Sequence, residues 1–232
     1  MMPIGHRNGA WVDDSTSATL TDMVDSRGAI QWEKPAFTDL VDGEEPSRCI
    51  SYAGMVRAAR NCANRLVDVA PPGARVLMIM PTGIEFVVAL FGCLFSGLIP
   101  VPVARPSGSP RTFAAAATVI AGIAGNCRPA AILCTAADQP VLADRLDPET
   151  ARLPVLSIPI DDKRTIALPQ LRITPETPAL LQYTSGSTST PKGVLLTHRN
   201  LLANLRVIAS VIGSGAPSPV RSTGCRSITT SA

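Results

Sequence analysis

The sequence predicts an α/β fold, a largely parallel sheet with packed helices. Segments whose apolar residues recur at helical spacing alternate with short, continuously apolar runs, and Pro/Gly clusters separate the two kinds. Strands covered on both faces by crossover helices produce that alternation. The composition agrees, because 46% hydrophobic against 17% charged residues over 232 positions is too apolar for disorder and enough for a sizeable core.

Residues 1–48 are polar and mixed and read as solvated loop, including the acidic pairs Asp13–Asp14 and Glu44–Glu45; Asp161–Asp162 reads the same way. Order begins at Tyr52. Tyr52, Met55, Val56, Ala59, Ala63, Leu66, Val67 and Ala70 form an apolar stripe, with Arg57, Arg60, Asn61, Asn64 and Asp68 between them. Pro71-Pro72-Gly73 ends that helix, and Arg75–Met80 reads as a buried strand. From Phe86 to Ala104 no residue is charged, a length able to cross a bilayer. Pro100 and Pro102 break the run, however, and Thr82 with Glu85 makes a capping box at its start. A buried helix over 83–97 and a strand at Ile99–Val103 follow, with no transmembrane span.

Beyond a Pro/Gly/Ser loop at Arg105–Pro110, residues 113–125 (FAAAATVIAGIAG) are apolar all round and read as a core helix. Ala130–Cys134 is a strand, Val141–Leu146 a short helix, and Pro154–Ile158 and Ala179–Tyr183 are further strands. Val194–Leu196 reads as a short strand, and Thr197 as the N-cap of a helix from His198 to about Val211.

Several functions are excluded by what the chain lacks. The net charge is only +3 and no Lys/Arg run stands out, so nucleic acid is not a partner. Six cysteines form no CxxC pair and the two histidines, His6 and His198, lie far apart. Reduced thiols in a cytoplasmic protein, without a metal site of its own, are expected. No apolar stretch follows the first basic residues, so no signal peptide is read.

The chemistry is concentrated in Leu181–Val194, LQYTSGSTSTPKGV. A linker has such a composition, but linkers are not wedged between two core elements. Closely spaced Gly, Ser and Thr let backbone N–H groups and hydroxyls converge on an anion, and Lys192 adds a compact charge suited to phosphate. The spacing is not that of GxxxxGK[ST], because Pro191 precedes the lysine and Gly193 follows it. With Ala179–Tyr183 as a sheet strand, the loop is expected at the strand's carboxyl end, where open α/β sheets bind ligands.

Residues Tyr183–Val194, YTSGSTSTPKGV, resemble the phosphate-loop signature of adenylate-forming enzymes: acyl-CoA synthetases, acyl-AMP ligases and peptide-synthetase adenylation domains. The likeness extends through residues 197–205 (THRNLLANL), 79–103 (IMPTGIEFVVALFGCLFSGLIPVPV) and 51–66 (SYAGMVRAARNCANRL). Gln182, Ser187 and GLIPVPVARP at 97–106 resemble the fatty-acyl-AMP ligase branch, with fatty-acyl-CoA ligase as the alternative. The resemblance implies a partial N-terminal AMP-binding domain over 1–212, using ATP and Mg²⁺ to turn a long-chain fatty acid into acyl-AMP. The acyl group would then pass to the thiol of an acyl carrier protein, or to coenzyme A. It also implies that Thr184, Ser185, Gly186, Ser187, Thr188, Lys192 and Gly193 hold the phosphates, with Lys192 as the catalytic charge. Ser189 and Thr190 read as solvated loop, and His198 as the start of a surface helix.

Residues 213–232 have neither periodicity nor apolar content and read as an unstructured tail. Codons permitted by Thr223–Ala232, TGCRSITTSA, spell W-L-P-L-Y-H-D-I-G when shifted by two nucleotides, close to a segment the family carries here. A frameshift near codon 213 is therefore expected, leaving a truncated, inactive fragment; a non-catalytic nucleotide- or acyl-binding remnant is the other possibility. The coding DNA tests the frameshift directly.

Overall fold

The computed structural model describes residues 16–41, 44–106, 110–159, 171–184 and 191–212. In chain order the elements are α1 (Leu20–Ile30), β1 (Pro35–Val41), β2 (Glu45–Ser51), α2 (Tyr52–Leu66), β3 (Arg75–Ile79), α3 (Ile84–Phe95) and β4 (Ile99–Val103). They continue as α4 (Pro110–Cys127), β5 (Ala131–Cys134), α5 (Gln139–Arg145), β6 (Val155–Ser157), β7 (Pro178–Thr184), β8 (Lys192–Thr197) and α6 (His198–Ile212).

The parallel sheet is β4-β3-β5-β6. Its register sets Leu77 opposite both Val101 and Ile132, so three branched side chains form one layer across the sheet. Because strand side chains alternate, β3 feeds both faces. Val76 and Met78 enter a cluster with Ala58, Cys62, Val88 and Cys93 of α2 and α3, while Leu77 and Ile79 enter another with Ile120, Ile123 and Cys127 of α4. That two-sided burial is why these strands are apolar at nearly every position.

Helices α2 and α3 approach closely at Gly92. A Cβ there would lie 2.3 Å from Cys62 Sγ and 2.7 Å from Cys62 Cβ, so only glycine fits. Burial drives the thiols of Cys62 and Cys93 upward, the latter to about 12, which leaves both as protonated core groups. Cys127 and Cys134 are likewise free and buried, whereas Cys49 is disulfide-bonded, contrary to the all-reduced expectation.

Four further expectations change. The stretch before residue 48 is not solvated loop throughout: Thr19 and Asp22 form a capping box for α1, and β1 and β2 form an antiparallel hairpin. Helix α3 is not capped by Thr82 and Glu85. Asp39 of β1 accepts the Ile84 N–H at 3.2 Å instead, and Arg48 of β2 forks between Asp39 and Glu85. A cap from 45 residues away in the chain has no local signature. The Arg48 hydrogen bonds hold the Glu85 carboxyl below its usual range against the opposing effect of burial. Helix α4 is buried on one side only, through Phe113, Ile120, Ile123, Ala124 and Cys127, while Val119 is exposed. Strand β7 is not hydrogen-bonded into the parallel sheet; it pairs antiparallel with β8 and packs alongside β4. The uncharged stretch 86–104 divides between α3, a turn at Gly97 and β4, and no helix among the described residues is long and apolar enough to cross a membrane.

Candidate active site

The hydroxyl-rich segment is the tip of a β-hairpin. Strands β7 and β8 pair Leu181 with Leu195, Gln182 with Val194, Tyr183 with Gly193 and Thr184 with Lys192. Thr184 and Lys192 thus form the last rung and bring the two ends of the connection together. Of the phosphate-binding residues expected from sequence, Thr184, Lys192 and Gly193 are described; Ser185, Gly186, Ser187 and Thr188 lie outside the described residues, as do Ser189 and Thr190. Lys192 is exposed and has no ion pair among the described residues, so its charge is directed to solvent at the mouth of the loop.

Tyr183 anchors the first strand. Its hydroxyl donates to Asn126 Oδ1 on α4, and its ring lies across Gly193, where a Cβ would come within 3.0 Å of Cζ and 2.9 Å of Leu181 Cδ1. A side chain at position 193 would therefore crowd both Tyr183 and Leu181. Pro191 rests one turn earlier on the same face of that helix, with its Cγ 3.4 Å from the position of a Cβ on Gly122. Both ends of the loop are therefore seated on α4. Burial, with the adjacent Cys127 thiol, pushes the Tyr183 phenol above its usual range, so it stays a neutral donor.

The loop follows the carboxyl end of β7, and β7 pairs with β8 rather than with the parallel sheet. Arg75, which begins β3, lies within electrostatic reach of Tyr183.

The carboxyl edge holds a cluster that sequence reasoning missed. Arg105, just beyond β4, donates to Asp138 Oδ1 through Nε and Nη2 at 2.8 and 2.6 Å, and Thr135 Oγ1 donates to Asp138 Oδ2 at 2.7 Å. Burial alone would raise the Asp138 carboxyl, but the bonds from Arg105 and Thr135 hold it below its usual value. Both carboxylate oxygens are occupied, so the cluster works as a clamp between β4 and the turn before α5. The pattern Thr135-x-x-Asp138 was its one local signal.

His198 also departs from expectation. Thr197 and Asn200 cap α6 reciprocally, as the Thr197 N-cap predicted. The imidazole, however, is not on the surface: it is 1% exposed, and its Nδ1 accepts the Leu20 N–H at 3.1 Å. Burial lowers its pKa to about 4. The ring is a neutral peg that fixes the base of the hairpin to α1, while Arg199 pairs with Glu176 in the turn before β7.

Residues 25–220 match the family model described as AMP-binding enzyme. The chain is 32% identical over 200 residues to the medium-chain-fatty-acid–acyl-carrier-protein ligase JamA of Moorena producens, covering 84% of this chain and 33% of that protein. It superimposes on the fatty acyl-adenylate ligase of L. pneumophila in complex with acyl adenylate and pyrophosphate, with a TM-score of 0.68, 27% identity, and coverage of 87% of this chain and 34% of that one. The N-terminal domain of FACL13 from Mycobacterium tuberculosis shares the fold at a TM-score of 0.59 and 22% identity, with 78% of this chain and 45% of that domain aligned. The chain spans about a third of the length of the curated relatives it matches.

Proposed function

The chain belongs to the AMP-binding enzyme family, and from that premise we propose that its β7–β8 hairpin is the phosphate grip of a fatty-acid-activating ligase. The observation that carries the proposal is the closing rung. It sets the hydroxyl of Thr184 and the free charge of Lys192 on either side of a loop rich in Gly, Ser and Thr, with both loop ends braced on α4. Residues 1–212 are assigned to the adenylating domain. Ser185, Gly186, Ser187 and Thr188 would complete the grip that Thr184, Lys192 and Gly193 begin.

In the proposed reaction a carboxylate oxygen of a long-chain fatty acid attacks the α-phosphorus of ATP. The bond from that phosphorus to the β-phosphate oxygen breaks, giving acyl-AMP and pyrophosphate. Negative charge grows on the departing pyrophosphate, and the hairpin's contribution is electrostatic: backbone N–H groups and the Lys192 ammonium offset that charge without taking or giving a proton. A thiol of an acyl carrier protein then attacks the acyl carbonyl and AMP leaves. The carrier is favoured over coenzyme A because the relative JamA is named as a carrier-protein ligase. Mg²⁺ would supply further neutralisation of the phosphates. No group of three or more His, Cys, Asp or Glu among the described residues could hold it, and no step is routed through it.

Thermal unfolding tests the grip. ATP at a hundredfold excess over its Kd should stabilise the chain by about 2.7 kcal/mol, and Lys192→Ala should abolish the shift while leaving the ligand-free Tm in place. No shift in the wild type refutes the reading. Since the chain spans about a third of its relatives, the 232-residue polypeptide by itself is expected to show no fatty-acid-dependent ATP–pyrophosphate exchange. Exchange abolished by Lys192→Ala would overturn that expectation.

A further inference from the structure

Away from the hairpin, helices α1 and α2 border a groove of about 520 Å³ whose two ends differ in character. The helices run antiparallel, with Gly28 against Val56 and Asp25 against Arg60. A Cβ on Gly28 would lie 2.8 Å from Val56 Cγ2, so the backbones approach closely, and the small residues Gly28, Ala29 and Ala53 leave the groove open. The end at Ala29 and Ala53 is apolar and continues outward. Ile30 and Trp32 are 68% and 58% exposed, and the Trp32 carbonyl accepts the Ala53 N–H at 3.1 Å, which fixes that turn beside the groove. The other end is cationic. Arg60 is held in place, its Nη2 2.7 Å from Asp25 Oδ2 and its guanidinium carbon 5.1 Å from the centre of the Phe95 ring. Arg57, one turn nearer the apolar end, is exposed and has no ion pair among the described residues. Because Asp25 neutralises Arg60, the groove carries the unopposed charge of Arg57.

We propose that the α1–α2 groove binds a single-chain anionic amphiphile, with its head on Arg57 and its chain laid over Ala53 and Ala29 toward Trp32. Its volume is that of a small-molecule site, apolar with a few polar groups. A guanidinium fork matches a carboxylate with two parallel hydrogen bonds. From Arg60 to Ala53 the helix rises about 10 Å, and Trp32 extends the apolar end, which suits a chain of medium length. A purely apolar ligand would gain nothing from Arg57, and a small anion nothing from Ala29, Ala53 and Trp32. An amphiphile of opposite charge would be repelled. The free monomer is favoured over a bilayer lipid, because a lipid would have to leave its neighbours to lie between the two helices. The groove is built from α1 and α2, whereas the proposed phosphate grip is built from β7, β8 and α4. The inference is therefore independent of that reading, and failure of ATP binding would leave it standing.

The test is calorimetric titration of the full chain with decanoate at concentrations too low for micelles, paired with amide exchange. Saturable 1:1 binding is expected, with exchange slowed at least about threefold at residues 25–32 and 53–60. Decyltrimethylammonium keeps the chain without the negative head, and acetate keeps the carboxylate without the chain; each should bind at least about tenfold more weakly. Arg57→Glu should weaken decanoate binding at least about tenfold. Ala29→Leu, which keeps every charge and fills the apolar end, should do the same. Both positions are exposed, so the ligand-free Tm should not move. No binding of decanoate, equal binding of the quaternary ammonium, or an unchanged affinity in Arg57→Glu would overturn the proposal. So would slowing confined to the β7–β8 hairpin, which would assign decanoate to the proposed active site. Recruitment to phosphatidylglycerol vesicles that decanoate does not compete with would make the patch a membrane-facing surface and overturn it as well.

Discussion

Replacing His198 by asparagine tests whether the buried imidazole sets the acid sensitivity of the fold. The ring titrates near 6.5 when unfolded and near 4 in place, because burial disfavours the charged form. Between those values the unfolded chain holds the extra proton, so stability falls as pH falls and is fully present only above about 6.5. The whole shift is worth about 3 kcal/mol, and about 2 kcal/mol of it is gone by pH 5. Glu85 and Asp138, whose carboxyls are held low, lose their contributions only below their unfolded values of 4.5 and 3.8, so the interval from pH 7 to 5 belongs to the histidine. Asparagine presents Oδ1 where the imidazole presents Nδ1 and can accept the Leu20 N–H without titrating. Urea unfolding at both pH values should show the wild-type midpoint dropping by about 1 M and the variant's dropping far less. Equal drops would mean that His198 titrates normally, and the peg would be refuted.

Three other perturbations probe the scaffold of the site. Asp39→Ala removes the remote cap of α3 and one arm of the Arg48 fork; a loss of about 1–2 kcal/mol in urea unfolding is expected, with Arg48→Lys losing less. Gly92→Ala forces a Cβ into Cys62 and should cost about 3 kcal/mol. Adding Cys62→Ala should recover only part of that loss, because Cys62 Cβ would still lie 2.7 Å away. Tyr183→Phe leaves the ring over Gly193 but removes the bond to Asn126. Faster amide exchange in β7 and β8, by roughly fivefold for about 1 kcal/mol, should accompany weaker ATP protection, with α2 and β3 unaffected.

Much of the candidate site was legible before any coordinates. The apolar runs at Arg75–Ile79, Ile99–Val103 and Ala131–Cys134 are buried strands because burial on both faces leaves no polar position, and that lack of alternation is visible in one dimension. The Tyr183–Val194 signature is visible because its residues are contiguous. Residues 16–48 were harder: α1, β1 and β2 carry mostly intermediate or exposed side chains, so their hydrophobic period is weak. Asn126 and Gly122 were invisible as parts of the site because nothing near them in sequence marks α4 as the bench on which the hairpin rests.

By itself, then, the sequence determined the α/β alternation and the family, both of which depend on local spacing and contiguous motifs, and it supplied the residues proposed for the phosphate loop. Only the tertiary structure decided the remaining points: that β7 leaves the parallel sheet to pair with β8, that Tyr183 and Pro191 both rest on α4, that Asp39 caps a distant helix, and that His198 is buried. Each depends on a partner far away in the chain: Asn126 for Tyr183, Ile84 for Asp39 and Leu20 for His198. Such pairings are selected by the packing of the whole fold, and no residue's immediate neighbours encode them.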